Sequence, residues 1–316
     1  MKKKEIPKPE LKKTKSSSGY LWAVLAGLFG LLIYINTLGH GYVLDDSNAI
    51  TKNLFVQEGI SGIPKLFTVD FWYFENVKLG YYRPLSLVTF AIEHAFFGNN
   101  AHVSHFDNAL LYGVTGFLLC LLLIQIFAGK HPAFPFLITL VFIAHPIHTE
   151  VVANIKSRDE ILSFLNMIAM IFFAFRFITT KKTRDIVLSL IFFYLALLSK
   201  ETAVVGIIML PLFLFYAGLK IPVILKKLLP YAGVAILFFL QKRYFLGSDS
   251  VIIPVDIINY PYVSRQVKIP TAFHIFTLCL EKLVFPWPLS HDYSYNQIPE
   301  IYRKKLRNTT NTFLYK

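Results

Sequence analysis

The chain has 316 residues, of which 55% are hydrophobic and 16% are charged, and its formal net charge is +13. Soluble domains average roughly 45–50% apolar and about 25% charged residues, so this composition excludes an ordinary soluble domain and indicates a membrane protein. A charge this positive would suggest nucleic acid as the partner of a soluble protein. Lysines at the cytoplasmic ends of membrane helices explain it here, and no nucleic-acid partner is predicted.

The N-terminal segment, residues 1–19, is predicted to be a disordered basic cytoplasmic tail, because it combines seven lysines, two prolines and a serine triplet. The apolar run over residues 20–38 is too long for the core of a signal peptide and is predicted to be a retained first membrane helix. The positive tail stays inside, so the chain is expected to emerge outside after this helix.

A long external loop is predicted next, over residues 39–108. It contains two amphipathic stretches, near residues 60–74 and 85–97, which are predicted to form short helices against the membrane. Loops of this length without structure of their own are uncommon unless they are functional. This loop is therefore predicted to be functional.

Six further apolar runs alternate across the membrane, and this alternation puts the basic connections inside and the mixed-charge connections outside. A helix must contribute roughly 20 residues to cross a core of about 30 Å, so the fourth of these runs is short. The six runs are residues 111–128, 134–152, 161–178, 186–198, 203–219 and 229–245.

An eighth run, residues 271–285, carries Glu281 and Lys282 and is predicted to be an interfacial helix on the outer surface, which keeps Asp292 outside. The sequence thus predicts an all-α polytopic membrane protein with seven to eight transmembrane helices. The membrane module is predicted to cover residues 20–268, and the interfacial helix with a polar C-terminal segment residues 269–316.

Charged motifs lie at the external ends of these runs, where ionisable groups are costly unless they face a cavity or each other. The first motif, Asp45-Asp46, follows the first helix by a few residues. A carboxylate here could act as a general base if it lies within hydrogen-bond reach of a hydroxyl. The alternative is an aspartate that caps the N-terminus of the next helix.

Arg83 offers a planar fork suited to phosphate, although an interfacial arginine among aromatic residues is the alternative. His145, His148 and Glu150 close the apolar run over residues 134–152, but their spacing fits no standard metal motif, so a hydrogen-bonding or structural role is expected and no metal is predicted. The remaining charged residues occupy two short external turns, which would either bind an anionic headgroup or be solvated. They are Lys156, Arg158, Asp159 and Glu160 in one turn, and Lys200 and Glu201 in the other.

These motifs occur in an order that resembles the transmembrane, tetratricopeptide-repeat-containing O-mannosyltransferases and their bacterial relatives, which are glycosyltransferases of the GT-C class. The matching elements are Leu44-Asp45-Asp46, Tyr82-Arg83-Pro84-Leu85, His145-Pro146-Ile147-His148-Thr149-Glu150, Arg158-Asp159, Leu198-Ser199-Lys200-Glu201 and the late Pro288-Leu289-Ser290-His291-Asp292-Tyr293-Ser294.

The resemblance implies a GT-C-type helical bundle that moves a mannose-like hexose from a polyprenyl-phosphate carrier to a protein Ser or Thr hydroxyl, with no cofactor and no divalent metal. It implies Asp45 as the catalytic base, with Asp46 as second choice. Arg158 and Lys200 would offset the phosphate charge that develops as the carrier leaves. We expect Asp45, His148, Arg158 and Lys200 to converge on one cavity, with Arg83 at its rim.

The relatives continue into further spans and a repeat array, so the chain is predicted to be a fragment or to use repeats on another chain. The acceptor could instead be a lipid or a cell-wall glycan. A transporter is a further alternative, although transporter sites lie near the bilayer midplane. A non-catalytic membrane scaffold is the last. The location is predicted to be the bacterial inner membrane or the endoplasmic reticulum, with the active site on the periplasmic or luminal side.

Overall fold

The computed structural model describes residues 17–73, 79–247, 265–290, 298–299 and 301, and within them the secondary structure is helical, without a strand. The predicted all-α class is confirmed for this part of the chain. The helices are α1 (Ser17–Leu32), α2 (Leu54–Gln57), α3 (Ile63–Leu66), α4 (Pro84–Phe97), α5 (Ala101–Ile126), α6 (Ala133–Ile143), α7 (Thr149–Ala153), α8 (Arg158–Thr180), α9 (Thr183–Ser199), α10 (Gly206–Tyr216), α11 (Ile221–Leu246) and α12 (Arg265–Val284).

Each of the seven apolar runs forms helix, but their lengths differ. Four helical segments are long and apolar enough to cross a membrane: Gly19–Gly39, Ala101–Ile126, Ile155–Thr180 and Ile221–Leu246. Helices α6 and α7 together make a fifth if the pair, bent by 53°, is one span. The chain is thus a multi-pass integral membrane protein.

The two remaining runs are shorter. Helix α9 has 17 residues, which rise about 25 Å at 1.5 Å per residue. The segment Glu201–Tyr216 is a shorter apolar helix as well. The count of seven to eight spans therefore stays a prediction. Helix α12 forms where the interfacial helix was expected and is not among the helices long and apolar enough to cross.

Helices α1 and α5 pack with their backbones almost in contact. A Cβ placed on Gly113 would lie 2.8 Å from the carbonyl oxygen of Gly27, and one placed on Gly27 would lie 3.0 Å from the carbonyl oxygen of Gly113. Small residues at such a crossing let two membrane helices approach closely and gain van der Waals contact. This contact fixes α5, which carries several residues of the site described below.

The first loop has a small apolar core of its own. Phe71, Leu87, Phe90 and Ile155 are among its buried members, so the loop packs on α4 and on the segment before α8. The predicted helix over residues 85–97 is confirmed as α4. The stretch near residues 60–74 forms only single helical turns, and α5 begins at Ala101, inside the predicted loop.

The side of the membrane on which this loop lies can be tested by cysteine labelling. We expect Lys52→Cys, an exposed position in the first loop, to react with an impermeant maleimide in intact cells, and Thr183→Cys, exposed before α9, to stay unlabelled until the cells are permeabilised. Asn53 would be a poor choice because it is buried as the N-cap of α2. The background should lack the exposed native Cys279. Labelling of Thr183→Cys alone would place the loop on the cytoplasmic side.

Candidate functional site

Residues 156–160 contact residues of the other charged motifs. The backbone makes a single turn over Ile155–Ser157 and then enters α8 at Arg158, so successive side chains leave in different directions. Consecutive residues of a helix are about 100° apart around its axis, and each charged residue here therefore contacts a different neighbour. The segment is the hub of the site.

Asp46 ties the first loop to this hub. Its carboxylate is fully buried and accepts two backbone hydrogen bonds, from Val43 N to Oδ2 at 2.9 Å and from Lys156 N to Oδ1 at 2.7 Å. Burial raises the pKa of the Asp46 carboxyl, although the two backbone donors act in the opposite direction. Its side chain does not cap the helical turn Ser47–Thr51 that follows. Its contacts tie two segments that are 110 residues apart.

Arg158 is the most deeply buried cation of the hub, with 1% of its side chain exposed. Its Nη1 lies 2.9 Å from Oε2 of Glu93 on α4. Its Nε donates to Asn108 Oδ1 at 2.7 Å, and its Nη2 donates to the carbonyl oxygen of Ser104 at 2.9 Å. The guanidinium also lies over the ring of Phe90, 4.2 Å from its centroid.

These contacts argue against the role that the resemblance implies for Arg158, which is to offset the charge of the donor phosphate. All three guanidinium nitrogens are engaged inside the protein, and a buried cation pairs with a buried carboxylate because either one alone would be costly. The arrangement leaves no free nitrogen to touch a donor phosphate. Arg158 joins α4, α5 and α8, so we assign it a structural role.

Arg83 forms the second buried ion-pair group. Its Nη1 donates to Asp159 Oδ2 at 2.8 Å, and its Nε donates to Glu201 Oε2 at 3.0 Å. Glu201 Oε1 also accepts from the backbone N of Tyr82 at 2.7 Å. Opposite charges hold the cation in place, and Asp159 and Glu201 raise the pKa of Arg83 despite the opposing effect of burial. The expectation that Arg83 lies at a rim is wrong, because 8% of its side chain is exposed.

Lys200 and Glu160 form the third pair, which is the most open of the three. Lys200 Nζ bonds Glu160 Oε1, and 42% of the Glu160 side chain is exposed. Lys242 on α11 lies 3.6 Å from Glu201 and extends this group. We call the combined set the charged cluster: Asp46, Arg83, Glu93, Lys156, Arg158, Asp159, Glu160, Lys200 and Glu201.

Asp45 differs from Asp46 in the exposure and the hydrogen bonding of its carboxylate. Its side chain is exposed, and its carboxylate makes no hydrogen bond or ion pair to the described residues. The N-cap alternative is not supported, since only its main-chain oxygen accepts from Asn48 N and Ala49 N. Asp45 thus presents a free carboxylate directly beside the buried Asp46.

No described hydrogen bond or ion pair joins the side chains of His145, His148 and Glu150 to the charged cluster. His148 packs between the rings of Phe142 and Tyr112, with centroids 4.6 Å and 5.9 Å away. His145 Nε2 lies 3.2 Å from the carbonyl oxygen of Leu283 on α12. The expected convergence of His148 with Asp45, Arg158 and Lys200 stays a prediction. The motif lies at the bend between α6 and α7, where His148 contacts aromatic rings.

Two further expectations concern Asp292 and a metal. Asp292 lies outside the described residues, so its role stays a prediction. Across the described ranges, His, Cys, Asp and Glu side chains form no group of three that could hold a metal ion.

Sequence reasoning missed three residues that hold the cluster together: Glu93, Ser104 and Asn108. Ser104 Oγ donates to Glu93, and Asn108 accepts from Arg158 while its amide nitrogen donates to the carbonyl oxygen of Asn154 at 3.1 Å. A signal was present in Phe90-Ala91-Ile92-Glu93, where a lone carboxylate follows three apolar residues. Such a group must find a cation when it is buried.

The chain is similar to known proteins that share one enzyme name. The chain is 35% identical over 144 residues to human protein O-mannosyl-transferase TMTC2, which covers 44% of this chain and 16% of that protein. It is 32% identical over 160 residues to mouse TMTC4, covering 46% of this chain and 22% of that protein. The chain is a relative of the TMTC protein O-mannosyl-transferases.

The resemblance drawn from the motifs is thereby confirmed. Drosophila Tmtc1 extends the similarity to 64% of this chain, at 26% identity over 209 residues and 24% of its own length. The chain spans between 16% and 24% of the length of these TMTC relatives. No family model and no solved structure matches the chain.

Proposed function

We propose that the protein is a membrane glycosyltransferase of the GT-C class that transfers a hexose, mannose by analogy with its relatives, from a polyprenyl-phosphate carrier to a Ser or Thr hydroxyl of a protein. The TMTC relatives, which are protein O-mannosyl-transferases by name, supply the reaction class. The observation that carries the proposal is the pair Asp45-Asp46, in which one carboxylate is free and exposed and the other is buried and fixes the loop.

Asp45 is the base in this proposal. A general base must reach the hydroxyl proton, and only Asp45 of the two carboxylates has an exposed side chain with free oxygens. Both oxygens of Asp46 already accept backbone amides. Asp46 therefore positions Asp45 by holding the loop on the hub.

The charged cluster gives the loop a rigid base. Arg158 with Glu93 and Arg83 with Asp159 and Glu201 join α4, α5, α8 and the turn after α9 through buried ion pairs. Catalytic groups act best when fixed neighbours hold them in the productive geometry. All these charges gather at one end of the helices, which favours a surface reaction over a transport path through the midplane.

Transfer by purified protein tests the proposal. We expect the protein in lipid nanodiscs to move radiolabelled mannose from polyprenyl-phosphate mannose to a Ser/Thr-containing protein substrate, and β-elimination to release the label. Soluble GDP-mannose should not serve as donor. Release of label from a lipid or glycan fraction instead would show the alternative acceptor. Incorporation from GDP-mannose alone would overturn the proposed donor class.

A further inference from the structure

Lys156 is the one cation of residues 156–160 and their described partners that forms no salt bridge. Arg158 pairs with Glu93, Arg83 with Asp159 and Glu201, and Lys200 with Glu160. The side chain of Lys156 is partly exposed. Among the residues that the structure describes, no carboxylate therefore neutralises its positive charge.

Two aromatic rings of the first loop contact this ammonium. Lys156 Nζ lies 5.6 Å from the centroid of the Trp72 ring and 5.8 Å from that of Phe71. Contact with an aromatic face is worth only about 0.5–1 kcal/mol at exposed sites, and it leaves the cation its full charge. The rings partly dry the ammonium, which strengthens its attraction for an anion.

The two rings are held firmly. Phe71 is buried, and its backbone N donates to the carbonyl oxygen of Tyr81 at 2.8 Å. The carboxylate of Asp70 accepts from Trp72 N and from Tyr81 N, each at 2.9 Å. The ammonium thus rests on a fixed aromatic base.

Lys156 is also tied to the residue beside the proposed base. Its backbone N donates to Asp46 Oδ1 at 2.7 Å, and Asp45 directly precedes Asp46 in the chain. The free carboxylate and the free ammonium therefore lie on two segments joined by one short hydrogen bond. A carboxylate and an ammonium suit a transferase that removes a proton from the acceptor and releases a phosphate.

We infer that Lys156 binds the phosphate of the polyprenyl-phosphate donor, an inference that rests on the proposed function. The acceptor hydroxyl gives its proton to Asp45, and its oxygen forms a bond to the anomeric carbon. The bond between that carbon and the phosphate oxygen breaks, and its electron pair stays on the oxygen. The polyprenyl phosphate leaves with one more negative charge, which the Lys156 ammonium offsets.

A donor titration with matched variants tests this role. The protein is placed in phosphatidylcholine nanodiscs, and binding of polyprenyl-phosphate mannose is measured together with transfer. We expect Lys156→Gln to weaken donor binding by about tenfold or more and to lower the transfer rate, and Lys156→Arg to retain most of both. The control is Lys65→Gln in the same loop, because Lys65 is exposed and paired with Glu58; it should behave as the native protein.

The outcomes separate the inference from the proposed function. If the native protein transfers mannose and Lys156→Gln binds the donor as tightly as the native protein, the inference fails and the function stands. If the native protein neither binds nor transfers, the function fails. A further titration in phosphatidylglycerol nanodiscs distinguishes the anion source. If the native protein and Lys156→Gln lose donor binding equally in these nanodiscs, the lipid does not compete for Lys156, which supports the donor phosphate as its ligand. If the loss of donor binding requires Lys156, the bulk lipid headgroups occupy Lys156, and the inference is overturned.

Discussion

Asp45→Asn is expected to lower mannose transfer by about 10²–10⁴-fold while donor binding stays intact. The substitution keeps the size and polarity of the side chain but removes the group that takes the hydroxyl proton, and general-base assistance is typically worth this factor. Because Asp45 is exposed and bonds no described side chain, folding should not change. Transfer rates at saturating donor, with binding measured on the same sample, check the result.

The matched control is Glu58→Gln, which neutralises another exposed carboxylate of the same loop and breaks only its pair with Lys65. It should retain native turnover. If Asp45→Asn transfers mannose at the native rate, the base is not Asp45. Asp46 would then have to leave its two backbone donors to act, and Asp46→Asn would be the next variant to assay.

Arg158→Met is expected to destabilise the protein strongly, by about 3–5 kcal/mol, because it leaves the buried Glu93 without its cation. Asn108 and the carbonyl of Ser104 would lose their donors as well. The free energy of unfolding, measured by denaturant titration in mixed micelles, should show this loss. The yield of folded protein in membranes should fall with it.

The double variant Arg158→Met with Glu93→Leu separates a structural role from phosphate binding. Replacing both members of a buried ion pair by apolar side chains is often nearly neutral, so the double variant should recover most of the lost stability. A structural role predicts that it also recovers donor binding. If Arg158→Met folded as stably as the native protein and lost donor affinity, Arg158 would instead contact the phosphate, as the family resemblance implies.

The helices could be predicted well from the sequence because a long apolar run in a membrane forms an α-helix, which satisfies all its backbone hydrogen bonds internally. The runs around α5, α8 and α11 are clear examples, as is α4 in the loop. The ends of these helices were harder to place. Helix α5 begins at Ala101 because Asn100 caps it, its side-chain oxygen accepting from His102 N at 3.1 Å.

The charged motifs could be recognised in the sequence, but the pairs that their residues form could not. Arg83 and Arg158 both have several carboxylates available, and the order of motifs does not decide which pairs form. Glu93 decides it for Arg158, since it lies on the buried face of α4. For His148, Pro146 marks the break between α6 and α7 in the sequence, since a residue before proline disfavours the helical conformation, but it does not give the 53° angle of the bend.

The entry of the chain into α8 also sets how tightly the length of this segment is constrained. Arg158, Asp159 and Glu160 occupy the first turn and meet Glu93, Arg83 and Lys200 respectively. One residue inserted between Ser157 and Arg158 would turn each later side chain by about 100°, to the direction its successor now holds. Arg158 would then face Arg83, and Glu93 would lose its cation. Divergent sequences can therefore exchange charges here in compensating pairs more easily than they can gain or lose a single residue.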